Sequence, residues 1–219
     1  MTRWAAAPLG TDLWQEERRA WEGGARCVAG IDEAGRGALA GPVVAACVVL
    51  PFECEMPGVN DSKLLSPRQR ETAFERIFAA ARGIGVGAVE ADQIDAVNVL
   101  RATHIAMRLA LEALPGGLCP ELVLIDGHPV RPFPASQLAL VGGDGKSVSI
   151  AAASIIAKVT RDRLMVRYDR DHPFYGFAGH KGYGSATHLA ALAQFGPCAI
   201  HRFTFRPVAV AAALRAVAK

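Results

Sequence analysis

The chain has 219 residues, 51% hydrophobic and 21% charged, a balance that suits one folded domain with appendages and excludes a disordered tail. Its formal net charge is only +3, from 24 Lys and Arg against 21 Asp and Glu, so affinity for a polyanion has to come from local clusters of cations. Five cysteines, Cys27, Cys47, Cys54, Cys119 and Cys198, are odd in number and form no C-x-x-C pair, which argues against a disulfide framework and a zinc knuckle. No stretch approaches the ~18 apolar residues of a membrane-spanning helix. The N-terminal apolar patch Ala5-Ala6-Ala7-Pro8 is too short for a signal peptide, and a cytoplasmic location is expected.

In chain order, residues 12–22 carry Trp14 and Trp21 among Glu and Arg and read as a short amphipathic helix, the end of a lead-in over residues 1–26. Cys27 to Ile31 is a buried strand that delivers Asp32. After a glycine turn, Val43 to Leu50 is an apolar strand stopped by Pro51 and close enough to the first to pair antiparallel. Ser66 and Pro67 supply an N-cap and a first-turn proline for a helix to about Arg82, with Glu71 and Glu75 on its polar side. Ile84 to Val89 is a third strand. A long helix is expected from about Asp92 to Leu114, with Ile94, Val97, Ile105 and Leu109 on its apolar face and Pro115-Gly116-Gly117 as its stop.

Leu122 to Ile125 is another buried strand, and it too ends in an acid, Asp126. Leu138 to Val141 leads through Gly142-Gly143 to a third acid, Asp144. A helix follows from Ser149 to about Tyr168, alanine-rich at its start and basic at its end. Residues 172–184 read as a loop dense in His, Gly and aromatics, followed by helices near Thr187–Gln194 and Val208–Val217, with residues 209–219 as a C-terminal tail.

The octapeptide Gly30-Ile31-Asp32-Glu33-Ala34-Gly35-Arg36-Gly37 carries the strongest chemical signal. A carboxylate pair at a strand end suits a divalent cation, the glycines admit a ligand to the backbone, and Arg36 can answer a phosphate. Alone, it reads equally well as an ordinary turn. Open α/β sheets bring ligands to strand ends, so Asp32, Glu33, Asp126 and Asp144 can converge. At ~4 Å and an effective dielectric of ~20 each like-charge pair costs about 4 kcal/mol, so four clustered carboxylates must shed charge or hold cations, and oxygen-only ligands favour Mg²⁺ or Mn²⁺. Side chains of adjacent strand residues point to opposite faces, so the strand is expected to break after Asp32 for Glu33 to join the site. Asp162 competes for the fourth place. Its plainer reading is a helical acid paired with neighbouring arginines, and the glycine-rich setting of Asp144 favours Asp144.

Gly143-Asp144-Gly145-Lys146-Ser147 fails as a phosphate-binding P-loop because Leu140 stands where its first glycine is needed, and Gly83 to Gly87 reads as a glycine-containing strand. Lys63 and Lys181 lie in loops beside polar or aromatic residues. With Arg36 and Tyr183 they supply the cations and the ring of a nucleic-acid groove, although each alone reads as a solvated loop. His128, His172, His188 and His201 lack ligand spacing and read as structural, while His180 is open to either reading.

The octapeptide, Asp61-Ser62-Lys63-Leu64-Leu65, Ile125-Asp126-Gly127, Gly143-Asp144, the run Ala152 to Asp162 and His180-Lys181-Gly182-Tyr183-Gly184 together resemble, in order and over residues 27–208, the bacterial ribonuclease HII family, the type 2 ribonucleases H. The resemblance implies an α/β, ribonuclease H-like fold, a five-stranded mixed sheet flanked by helices, with a helical C-terminal extension. It implies a monomer that cleaves the RNA strand of RNA–DNA hybrids and incises 5′ of ribonucleotides in duplex DNA, leaving 3′-hydroxyl and 5′-phosphate ends. Asp32, Glu33, Asp126 and Asp144 would hold two Mg²⁺ or Mn²⁺ ions. Gly35, Arg36 and Gly37 would read the 2′-hydroxyl, Tyr183 would pack on the sugar at the RNA–DNA junction, and Lys63, Ser154, Lys158 and Lys181 would contact the substrate. A related DNA nuclease or a non-catalytic hybrid binder remains the alternative.

Overall fold

Five apolar runs build one sheet in the order β3-β2-β1-β4-β5: β1 (Val28–Ala34), β2 (Val43–Val49), β3 (Gly83–Val89), β4 (Leu122–Asp126) and β5 (Gln137–Leu140). The computed structural model describes residues 12–60 and 62–217; residues 1–11 with their alanine patch, Asp61 of the 61–65 motif, and residues 218–219 lie outside the described residues. β1 pairs antiparallel with β2 and parallel with β4, so the sheet is mixed as expected. β2 is buried at every position because helices cover both faces of the sheet.

Helix α2 (Pro67–Ala80) begins at a capping box, in which Ser66 Oγ accepts from Gln69 N–H at 3.4 Å and Ser66 N–H donates to Gln69 Oε1 at 2.9 Å. The single helix expected from 92 to 114 is two, α3 (Ala91–Val97) and α4 (Val99–Glu112). Asn98 divides them with φ 72°, and its side chain caps α4 by accepting from Arg101 N–H at 3.1 Å. Leu109, placed on the apolar face from sequence, is 40% exposed; α4 is buried instead along Ala102, Ala106 and Ala110. The glycines of β3 explain why small residues face inward there. A Cβ at Gly85 would lie 2.0 Å from the Ala110 carbonyl oxygen, so helix backbone rides directly on strand backbone.

Helix α5 (Val148–Asp171) covers the opposite face, with α2 beside it. It meets β1 closely, since a Cβ on Gly30 would lie 2.1 Å from the backbone carbon of Ser149. Helix α1 (Gln15–Glu22) abuts the start of α5. Glu17 is fully buried, and its Oε1 accepts from Ser147 Oγ at 2.6 Å and Ser149 N–H at 3.0 Å, so an acid from the lead-in caps the helix. Trp21 packs on Phe52 at 4.4 Å between ring centroids. The segment 172–184, expected to be a loop, contains the one-turn helix α6 (Phe177–His180); α7 (Ala186–Phe195) and α8 (Arg206–Val217) form the helical C-terminal extension. All five cysteines are free, and none of the described helices is long and apolar enough to cross a membrane.

Candidate active site

The C-terminal edge of the parallel strands opens into a cleft of about 280 Å³ lined by Asp32, Glu33, Asp126, the Gly35-Arg36-Gly37 turn, Lys63, Ser154, Lys158 and Tyr183. Parity along the paired strands β1 and β4 explains how the acids meet. Their last bridge is Ile31↔Ile125, so Asp32 and Asp126 are the next residues along two parallel neighbours and share the face that carries α5. The strand does not break after Asp32, contrary to the expectation. It stays in register with β2 through Glu33↔Ala45 and Ala34↔Val44, and turns only at Gly35, where φ is 95°. Glu33 starts from the other face but still lines the cleft, because β4 ends at Asp126 and no strand walls it off.

The close approach of α5 at Gly30 also places Ser154. Ile150, whose amide also abuts Gly30, is one turn before Ser154; that turn climbs ~6 Å against ~6.6 Å from Gly30 to Asp32, so the hydroxyl arrives beside the carboxylate. Ser154 hydrogen-bonds Asp32 and lies 2.8 Å from the Ser62 hydroxyl, both serines being buried. Its side chain therefore supports Asp32 from the wall of the cleft. Burial, then the charges of Glu33 and Asp126, push the Asp32 carboxyl well above the usual range, while Ser154 and the Glu33 amide, 2.7 Å away, pull it back. Burial also raises Glu33, opposed by Arg36 at 3.1 Å.

Asp126 Oδ1 accepts from Gly143 N–H at 2.6 Å, which ties the strand end to the 3₁₀ turn Gly143–Gly145. Asp144 sits in that turn, 4% exposed, and is not among the residues lining the cleft; it joins the site through Lys63, whose Nζ is 2.9 Å from its Oδ2. Among the described residues no three His, Cys, Asp or Glu side chains converge closely enough to hold a metal ion. Asp162 belongs to neither set. Its partner is Lys158 at 2.6 Å, one helical turn back, and the arginines beside it are engaged elsewhere.

Two fully buried arginines hold the loops around the cleft, a role that no sequence motif assigns to either. Arg161 donates to the carbonyls of Pro42, Ala40 and Lys181 at 2.8, 3.0 and 2.9 Å. Arg202 donates to Gly35 O and Arg36 O, each at 2.8 Å, and to Gly41 O. Arg161 lies inside the quoted 152–162 run, whereas Arg202 had no motif around it. The two glycines of the turn have different reasons to be glycine: a Cβ at Gly35 would fall 2.0 Å from Arg161 Nε, and one at Gly37 would meet nothing.

Tyr183 stands at the rim, 38% exposed, with Arg161 and Lys158 at 5.4 and 5.9 Å from its ring centroid. Lys181 is turned away from the acids, its ammonium donating to Ala178 O, and it lines a second groove of about 920 Å³ between α2, α5 and α6. That groove runs into the cleft through Arg70, Lys158 and Tyr183. Arg70, another residue missed from sequence, donates to the carbonyls of Ser62 and Leu65 and so fixes the loop that carries Lys63.

The family model described as Ribonuclease HII matches residues 29–208. A ribonuclease HII from Geobacter sulfurreducens is 56% identical over 196 residues, covering 90% of this chain and 89% of that protein. The crystal structure of the ribonuclease H2 from Pyrococcus horikoshii OT3 superposes with a TM-score of 0.71 at 28% identity, covering 86% of this chain and 98% of that one. Bst-RNase HIII, solved in complex with Mn²⁺, shares the fold at a TM-score of 0.69 and 20% identity, covering 86% of this chain and 70% of that one. With a matching family model over most of its length and a close relative across nine-tenths of it, the chain belongs to the ribonuclease HII family and is a ribonuclease H-type endonuclease.

Proposed function

We propose that this chain hydrolyses the RNA strand of RNA–DNA hybrids and incises 5′ of single ribonucleotides in duplex DNA, in a divalent-metal-dependent reaction that leaves 3′-hydroxyl and 5′-phosphate ends. The observation that carries the reading is the meeting of Asp32 and Asp126 at adjacent strand ends, with Glu33 and the Gly35-Arg36-Gly37 turn in the same cleft. The donor set fits Mg²⁺ or Mn²⁺, since it is all oxygen and sets the charges of Glu33 and Asp126 beside a buried Asp32. Asp32, Glu33, Asp126 and Asp144 would have to draw closer than they stand to hold two ions, with Lys63 releasing Asp144 as they do. Bound metal supplies an activated water and charge stabilisation at the leaving 3′ oxygen.

The protein's own groups would orient the strand. Arg202 already engages the carbonyls of Gly35 and Arg36, so the reading of a 2′-hydroxyl falls to the amides of this turn, and the open space at Gly37 lets a sugar approach. Tyr183 would pack on the deoxyribose at the junction, Lys63 and Lys158 would hold phosphates, and Lys181 would do so from the outer groove. Ser154 would act on substrate only through Asp32. The chain would work as a monomer in the cytoplasm.

The test is a DNA duplex with one ribonucleotide, incubated with Mg²⁺ or Mn²⁺. A nick on its 5′ side is expected, and equal cleavage of an all-DNA duplex, or none with either ion, defeats the reading. Asp126→Asn should lose at least about 10²-fold in turnover while still binding hybrid.

A further inference from the structure

Behind Tyr183 lies a buried group of histidines for which the proposed chemistry has no use. His188, on α7, and His201, in the segment before α8, are both buried, and their Nε2 atoms lie 3.0 Å apart. The surrounding donors fix where the protons are. Cys198 N–H donates to His201 Nδ1 at 3.0 Å, so that nitrogen is bare and the proton of a neutral ring sits on Nε2. His201 Nε2–H therefore donates to His188 Nε2, which leaves the His188 proton on Nδ1. That proton points at the Tyr183 carbonyl, 2.9 Å away. The chain runs one way, from the Cys198 amide through two imidazoles to the backbone of Tyr183, with every polar atom satisfied only if both rings are uncharged.

The surroundings favour that state. His180 stacks on His188 at 4.4 Å and 9°, and Phe177 and Tyr175 pack against the cluster at 5.0 to 5.5 Å. Burial lowers both histidines, His201 to about 4; His180 pushes His188 the same way, and His188, His172 and His180 push His201. His180 is fixed as well, accepting from Gly182 N–H and lying 2.8 Å from Tyr175 O. A proton added to His188 would set two N–H groups face to face, and one added to His201 would oppose the Cys198 amide.

We propose that His201 and His188 are positioning residues that hold the Tyr183 ring at the cleft through this chain of neutral imidazoles, and thereby set the preference for cutting at an RNA–DNA junction over cutting within continuous RNA. The inference rests on Tyr183 as the junction ring. The His201 side chain does not line the cleft; its route to Tyr183 runs through His188 and the Tyr183 carbonyl, while its backbone is bridged to Ala40.

The experiment is a double-mutant cycle read as junction preference, the ratio of kcat/KM on a single-ribonucleotide duplex to kcat/KM on a uniform hybrid. His188→Phe keeps the ring and its stack but removes both hydrogen bonds, and should lower the ratio roughly tenfold, or about 1.4 kcal/mol. In a Tyr183→Ala background the same change should alter the ratio less than about twofold, because the ring it positions is gone. An equal loss in both backgrounds overturns the proposal. Should His188→Phe fail to fold, His201 decides: His201→Gln keeps an acceptor for Cys198 N–H and a donor for His188, and should retain the preference that His201→Phe loses. Equal ratios for those two variants also overturn it. Independently of turnover, the Tyr183 ring resonances of tyrosine-labelled protein should shift and broaden in His188→Phe. Unchanged resonances refute the positioning role even if wild-type protein never nicks a ribonucleotide, an outcome that would itself refute the function proposed above.

Discussion

Asp32 concentrates the tension between stability and chemistry in this protein. Its carboxyl is raised by burial and by two acid neighbours, so the folded state binds its proton more tightly than the unfolded chain does. The contribution to stability is therefore full below the ordinary carboxylate range and is lost as the pH rises through the raised value. Replacing Asp32 with Asn removes the charge and keeps the shape. In the presence of EDTA, Asp32→Asn should melt higher than wild type at pH 7.5, and the gap should shrink toward pH 4; a gap independent of pH would contradict this origin. Adding Mg²⁺ should raise the wild-type midpoint and leave the variant nearly unmoved, since ligand binding stabilises only the chain that binds. That Asp32 mattered was legible from the octapeptide. Its route to Glu33 was not, because residue parity describes a strand in mid-sheet and Glu33 lies where the neighbouring strand has stopped.

At the scale of elements, helix α1 does more than lead into the domain. Glu17 ties it to Ser147 and Ser149 at the start of α5, and Ser147 N–H in turn donates to Gly143 O at 2.8 Å, beside Asp144. Glu17→Ala should cost about 1–3 kcal/mol, the price of a buried pair left unmade, which calorimetry would read as roughly 2–4 °C per kcal/mol. The turnover of folded protein should fall as well, as the turn carrying Asp144 loosens; a variant with wild-type midpoint and rate would mean that the cap is idle. Strand positions along the chain and most helix bounds follow from apolar runs, prolines and caps that local sequence displays, whereas the order of strands in the sheet does not. Asn98 escaped notice because an asparagine is unremarkable within a helical pattern until its φ is known, and Leu109 was misplaced because the glycines of β3, not apolar bulk, decide which side of α4 faces inward. Glu17 and Arg202 were invisible for a different reason: each acts on backbone more than 100 residues away, with no periodic pattern to betray it.

Over the whole molecule, a chain of net charge +3 gathers six cations, Arg70, Lys158, Arg163, Arg167, Arg170 and Lys181, along one groove. The groove leading from Tyr183 is edged by Arg163, Arg167 and Arg170 along successive turns of α5, and among the described residues only Arg163 of these three forms ion pairs, with Glu71 and Glu75. Binding to duplexes long enough to reach it should weaken steeply with salt. Replacing Arg167 and Arg170 with Ala should flatten the slope of log K against log salt by up to about 1.8, with little change on duplexes too short to leave the cleft, whereas an unchanged slope would remove the groove from the binding surface. Net charge gave no hint of this, because it averages over faces. The buried arginines add a consequence in time. The turn at Gly35 and Arg36 is complete only when Arg202 has come back to grip its carbonyls, and the Tyr183 loop only when His201 is in place. A chain made from its N-terminus has its acids long before it has these braces. During synthesis the turn would therefore stay unbraced until Arg202, 167 residues past Gly35, has emerged and folded back onto it.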